Sequence, residues 1–145
     1  MKISNLLEEK NLKRFTDQPN YLGGVENLSE KFGAKKLGFH YEEIDPKSFS
    51  CPYHYHEQEE EFFYVIEGEA IVRCDGKFKK VKAGDLFFYP TGSEYAHNMY
   101  NHTDKPFKFL AVSNISDVYD VCHYPDSKKK TSPDGVMQNG EKVNY

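Results

Sequence analysis

Asp75-Gly76 stands between two runs rich in β-branched and aromatic residues, 70–74 and 78–81. Such a dipeptide between apolar runs is the strongest short-range hairpin signal a sequence carries, because both turn positions need a positive φ. The hairpin is one of a series. Residues 37–41, 53–57, 61–66, 86–89, 97–100 and 107–112 are further short runs suited to strands. Asp45-Pro46, Glu67-Gly68-Glu69, Lys82-Ala83-Gly84-Asp85 and Pro90-Thr91-Gly92 punctuate them with turn chemistry. Many short strands at even spacing predict an all-β barrel or sandwich. Gly68, Gly84 and Gly92 are expected to serve turns of positive φ rather than chemistry.

The rest of the chain reads differently. Residues 1–34 are polar and mixed and are broken by Gly23-Gly24, so they are expected as an arm wrapping the domain. Leu6, Leu7 and Leu12 suggest a short helix there. Residues 35–126 hold the strand signals. Residues 127–145 contain Lys128-Lys129-Lys130 and little that is apolar, so they are expected to be exposed or disordered. A chain of 145 residues supports one core, and its eleven Phe and eleven Tyr without Trp suit a sheet. The net charge of −4 offers no broad basic surface, so no nucleic-acid partner is expected. Lys77, Lys79, Lys80 and Lys82 crowd one hairpin and read as a charged edge that discourages strand pairing between copies. No apolar run approaches the ~18 residues of a membrane span, and the N-terminus lacks a signal-peptide core. Three cysteines, Cys51, Cys74 and Cys122, make no disulfide framework. Together these point to reduced thiols and a cytoplasmic protein.

Chemistry concentrates between His54 and Asn101. In His54-Tyr55-His56 the two imidazoles lie on one face of a strand, because strand side chains alternate. Acidic residues crowd the next turn at Glu57, Glu59, Glu60 and Glu61, and His97 follows Pro90-Thr91-Gly92. Neutral imidazole with carboxylate suits borderline divalent first-row metals. His40 is open to two readings: it projects into a barrel mouth or faces solvent. Tyr53, Tyr55, Phe63, Phe88 and Tyr95 are expected in the core or lining the barrel. A mostly apolar pocket with few polar anchors follows from that count.

His54-x-His56, Glu61 and Gly68, then Gly84, Pro90-x-Gly92, His97 and Asn101, resemble the two motifs of the cupin superfamily. The first motif's leading glycine position holds Ser48, and the second motif is written P-x-G-x4-H, as in one cupin subgroup. The subgroup likeness extends to Asn101-His102-Thr103-Asp104-Lys105-Pro106 and to Tyr124-Pro125-Asp126-Ser127. The resemblance implies a double-stranded β-helix (jelly-roll) barrel. It also implies one divalent transition metal (Zn, Fe, Mn or Ni) on His54, His56, Glu61 and His97. Glu61 is chosen over Glu60 by its distance from Gly68, and His102 is the fallback for His97.

The implied function is metal-dependent binding or turnover of a small polar metabolite, by dioxygenation, decarboxylation or isomerisation. Two alternatives stand beside it: a non-catalytic small-ligand binding or sensing module, and a metal-independent sugar isomerase or epimerase with histidine acid and base. Cupins commonly pair sheet against sheet, so a homodimer that uses part of the arm is expected.

Overall fold

The computed structural model describes residues 1–8 and 11–144. In chain order it contains β1 (Lys13–Gln18), β2 (Tyr21–Asn27), α1 (Leu28–Phe32), β3 (Leu37–Ile44), β4 (Tyr55–His56), β5 (Glu61–Glu67), β6 (Glu69–Cys74) and β7 (Lys77–Lys82). There follow β8 (Leu86–Tyr89), β9 (His97–Tyr100), β10 (Phe107–Asn114), β11 (Cys122–Tyr124), β12 (Lys129–Ser132), β13 (Gly135–Gln138) and β14 (Glu141–Val143). One sheet runs β1-β2-β3-β10-β5-β8, a second β14-β13-β12-β11-β4, and a third β7-β6-β9. Isolated bridges Phe49↔Tyr100 and His54↔His97 tie β9 to the segment leading into β4. The two smaller sheets therefore face the six-stranded one as a single wall. This is the all-β jelly roll expected from the sequence. No helix among the described residues is long and apolar enough to cross a membrane.

The core lies between the walls. Ile44, Phe63, Val65, Phe107, Phe109 and Ala111 come from the six-stranded sheet; Ala70, Val72, Val81 and Met99 come from the three-stranded one. Register explains the set. Phe109 opposes both Glu42 and Val65, and Ala111 opposes both His40 and Phe63. Directly opposed residues share a face, so His40, Glu42, Phe63, Val65, Phe109 and Ala111 all look inward. Glu61 joins them, opposite Ser113 and Tyr89. The same phase turns Phe88 outward, where it is exposed, and puts Tyr89 inside instead. That corrects the expectation for Phe88.

Two stretches form more sheet than their sequence suggests. The 1–34 segment, expected as an arm, supplies β1, β2 and α1. Gly23-Gly24 reads as a break but lies within β2, because a Cβ at Gly23 would collide with the Phe15 ring and the Glu43 carbonyl. Gly23 lets an aromatic ring from β1 lie across the strand. Residues 9 and 10 of the short helix expected near Leu6, and Tyr145 of the tail, lie outside the described residues. The tail, expected to be exposed or disordered, forms β12, β13 and β14. Its strands are polar and show no alternation, but Gly135 and the pair Asn139-Gly140 have the positive φ that hairpin turns require. Lys77, Lys79, Lys80 and Lys82 lie on β7, an edge strand, as expected.

The outer face of the six-stranded sheet carries two apolar rows. Across β3, β10, β5 and β8, one row reads Tyr41, Leu110, Tyr64, Leu86, and the next reads Phe39, Val112, Phe62, Phe88. Tyr64, Leu86 and Phe88 are exposed.

Asn101, part of the histidine-rich sequence cluster, is a clamp rather than a ligand. It is fully buried. Its amide donates to the carbonyls of Ile44 (3.0 Å), Asp45 (3.1 Å) and Lys105 (2.8 Å). Its carbonyl accepts from the Thr103 amide (3.0 Å) and hydroxyl (2.8 Å). Removing such a hub leaves several buried groups unpartnered. Asn101→Ala is expected to lower the unfolding free energy by about 3 kcal/mol, read by denaturant titration. A loss no larger than that of an exposed Asn→Ala change would refute the role.

Candidate metal centre

Three histidines reach the interior from different elements. His54 and His56 flank the start of β4, and His97 opens β9 opposite His54 in the bridge between them. Their imidazoles cluster: ring centroids lie 5.1 Å apart for His54 and His56, and 4.7 Å for His54 and His97. Tyr89 stacks on His97 at 3.7 Å and 5°, which fixes that ring.

One nitrogen of each ring is already engaged. His54 Nδ1 lies 3.0 Å from the Pro52 carbonyl and His97 Nδ1 lies 3.0 Å from the Tyr95 carbonyl. His56 Nδ1 lies 2.6 Å from Asp120 Oδ2. A carbonyl or carboxylate can only accept, so each Nδ1 carries the proton and donates it. In a neutral imidazole that leaves Nε2 as a bare lone pair. All three Nε2 atoms face one oxygen, Glu61 Oε2, at 3.8 Å from His54, 3.6 Å from His56 and 3.0 Å from His97. Glu61 Oε2 and His97 Nε2 are buried without a hydrogen-bond partner.

The electrostatics agree. Burial pushes the His97 imidazole down, towards its neutral form. Burial alone would push the Glu61 carboxyl up, but His97, His54 and His56 together hold it down to about 2. That lowering requires positive charge or a donated proton on the imidazole side; a cation among the three Nε2 lone pairs supplies the same charge, and without it the neutral cluster is four acceptors and no donor. His54, Glu61 and His97 are close enough for their donor atoms to share one ion, and His56 adjoins them. Glu60 is exposed, and His102 belongs to none of the clusters of potential ligands among the described residues.

Three further carboxylates lie near this centre, and neither Asp120 nor Glu42 has a local signal in the sequence. Asp120 comes from the loop before β11, 64 positions from His56, and its Oδ1 also accepts the Gln58 amide at 2.7 Å. Glu59 lies with His56 and Asp120 in a second cluster of potential ligands, and burial pushes its carboxyl up. Glu42 faces the interior from β3 with its Oε2 3.1 Å from His40 Nε2. Burial pushes Glu42 up, His40 pulls it down, and the charge of Glu61 raises it. His40 is therefore an inward residue whose ring is still partly open to solvent. The interior is more polar than the expected apolar pocket. The Cys51 thiol lies 3.5 Å from His54 Nδ1, and burial pushes it far up, so it stays protonated.

A family model described as "Cupin domain" matches residues 40–113, just over half of the chain and the span that holds His54, His56, Glu61 and His97. The oxalate-binding protein of Thermotoga maritima is 36% identical over 67 residues, covering 46% of this chain and 54% of that protein. Quercetin 2,3-dioxygenase of Bacillus subtilis is 25% identical over 103 residues, covering 66% of this chain and 31% of that protein. The chain thus spans less than two thirds of the length of either relative. Among solved structures, a sugar phosphate isomerase of the cupin superfamily from Silicibacter pomeroyi superposes with a TM-score of 0.77 at 23% identity, covering 92% of this chain and 93% of that one. A Thermotoga maritima protein described as a predicted oxalate decarboxylase gives 0.60 at 28% identity, covering 72% and 92%. With its two half-motifs inside the matched span and its jelly roll complete, the chain belongs to the cupin family.

Proposed function

We propose that this cupin holds one divalent first-row ion on His54, His56, Glu61 and His97 and uses it to bind, and to move a proton on, a small oxygen-rich metabolite. One observation carries the reading: three imidazole lone pairs and an ionised carboxylate oxygen converge with no donor between them. Four acceptors in a desolvated interior repel one another unless a cation lies among them. The donor set, three nitrogens and one oxygen, suits zinc, iron, manganese or nickel. When bound, the ion supplies a Lewis acid with coordination positions left for substrate oxygens.

The chain's own groups do the rest. Asp120 orients His56 through its Nδ1 proton and makes it a better donor. The Pro52 and Tyr95 carbonyls do the same for His54 and His97. His40, held by Glu42, is the ionisable group inside the barrel that proton transfer needs. The names of the similar proteins, oxalate-binding protein and sugar phosphate isomerase, fit a small carboxylate or hydroxy-carbonyl ligand. The likeness to an oxalate-binding protein also supports the second reading, a metal-dependent binding module without turnover. Oxalate titration of metal-loaded protein, with a parallel screen for carbon–hydrogen exchange, separates the two. Histidine acid–base chemistry without metal is disfavoured, since the three clustered Nε2 atoms are all acceptors with no proton to give to a substrate. We also infer that the outer face of the six-stranded sheet, with its two apolar rows, packs against a second copy.

Three outcomes follow. Metal analysis of purified protein is expected to give one divalent ion per chain. His56→Ala and Glu61→Gln lose it with an unchanged far-UV spectrum, and Asp120→Ala weakens affinity about 10–100-fold. Full occupancy in Glu61→Gln would overturn the ligand set. The second outcome concerns pH. Burial raises Glu42 above the ordinary carboxyl value of 4.5, so its stability contribution is complete below 4.5 and is lost as pH rises through the folded value. In metal-free protein, Glu42→Gln should therefore melt above wild type at neutral pH, with the gap closing as pH falls to 4.5. A gap that widens on acidification contradicts the assigned environment. Third, light scattering should give a dimer at micromolar concentration, and a Leu86→Glu/Phe88→Glu variant a folded monomer. A wild-type monomer, or a dimer indifferent to the double change, rejects the interface.

A further inference from the structure

The strand that carries the two clustered histidines has another side. His54 and His56 point into the barrel, so Tyr53 and Tyr55 point away from it. They face a cavity of about 700 Å³ formed against the C-terminal hairpins. Tyr55 lies parallel to His123 of β11, with centroids 4.6 Å apart and planes within 2°. Lys130 opposes His123 across β11 and β12, and Met137 opposes Lys130 across β12 and β13. Tyr55, His123, Lys130 and Met137 therefore form one row on one face. Lys128 adds a second lysine to this face and the lining has no acidic residue, whereas Lys129, next to Lys130 on β12, turns its side chain to the opposite face.

That lining is unusual for a chain of net charge −4. The arginine near it is neutralised, and the histidine is paired. Arg73 lies over Tyr53, 3.7 Å from the ring centroid, and is held by both oxygens of Asp126 at 2.6 and 3.0 Å. His123 Nε2 is 2.6 Å from Glu57 Oε1. The three lysines are not neutralised in this way. Every ion pair made by a lysine or arginine among the described residues involves another residue. Lys129 donates to a backbone carbonyl, that of Asn144, at 3.1 Å. Lysine ammonium groups bind phosphate as point charges, and aromatic faces take flat rings. The volume lies within the usual range for small-molecule sites.

The geometry points to a second binding site here, separate from the barrel interior, for a small anion that carries two or more charges and a planar ring. Its size is that of a nucleoside monophosphate. The anionic group lies between Lys128 and Lys130, and the ring lies against Tyr55 and His123 with Met137 beneath. The site depends on the C-terminal strands, because β12 and the turn before it provide the lysines and β13 the methionine.

Adenosine monophosphate, adenosine and inorganic phosphate serve as probes, each titrated into the full chain and followed by backbone amide NMR. Adenosine monophosphate is expected to bind at least about tenfold more tightly than either part. Shifts should centre on 53–55, 123–130 and 137. Lys128→Glu/Lys130→Glu should weaken it about tenfold or more, and the milder Lys→Gln pair should weaken it less, both with an unchanged melting curve. Tyr55→Leu should weaken adenosine monophosphate but leave phosphate unchanged, and its metal content should match wild type. Glu61→Gln should bind the probe as wild type does, which separates this cavity from the barrel interior. No saturable binding, equal binding to the Glu and wild-type proteins, or shifts confined to the surroundings of Glu61 and His97 would each overturn the assignment.

Discussion

The double pairing of β10, with β3 on one side and β5 on the other, decides what the interior of this molecule contains. Eight successive residues of β10 are locked to Leu37–Ile44, and six of them to β5 as well. Strand side chains alternate, so a slip of one residue would exchange the two faces. Phe109 and Ala111 would then lie outside, and Leu110 and Val112 inside. A slip of β3 would likewise turn His40 and Glu42 to solvent, and a slip of β5 would turn Glu61 out. The register thus places the hydrophobic core and the ionisable interior groups in one step. Asn101 reinforces it by tying the end of β3, the loop after β9 and the approach to β10 into one hydrogen-bonded knot.

The interior carries a cost that a pure jelly-roll core would avoid. Glu61, Glu42 and Glu59 bring carboxylates into low dielectric, and burial works against the charge of each. The apolar core can offset that because much of it lies away from Glu61. Phe107, Phe109, Ile44 and Val65 pack towards one end of the six-stranded sheet, while Glu61 and Ser113 lie at the other end of the β5–β10 ladder. The polar end can therefore be arranged for a ligand while the apolar end maintains the fold.

Much of this was legible in the sequence. The hairpin at Asp75-Gly76 has the turn angles that dipeptide implies, with φ of 49° and 66°. The eight short runs between 35 and 112 all correspond to strands, although the 53–57 run forms a strand only at Tyr55–His56. The spacing of His54 and His56 made their common face a simple consequence of alternation. Other features were illegible for identifiable reasons. β2 contains two glycines whose value lies in their neighbours, the Phe15 ring at Gly23 and the Leu12 and Arg14 side chains at Gly24. β12, β13 and β14 are polar, so periodicity is silent and only their turn residues reveal them. Asp120 and Glu42 reach their histidine partners by opposite routes: one is 64 positions from His56, and the other is two positions from His40 on a strand whose inward phase the sequence left open. Contacts across a sheet leave no trace in local pattern.

The two sides of β4 also differ in sign, and this bears on how anions would approach. Inside, Glu42, Glu59, Glu61 and Asp120 surround the imidazoles. Outside, Lys128 and Lys130 line the cavity behind Tyr55. An anionic metabolite meets repulsion from the interior carboxylates unless a cation already lies among the Nε2 atoms, since opposing charges in a desolvated space are weakly screened. On our reading of the histidine cluster, metal loading and anion entry are therefore coupled. The outer cavity has no such requirement, because its charge is supplied by the chain itself. The alternation of one short strand thus places a cation-demanding site and an anion-attracting one back to back, with Tyr55 between His54 and His56 as the partition.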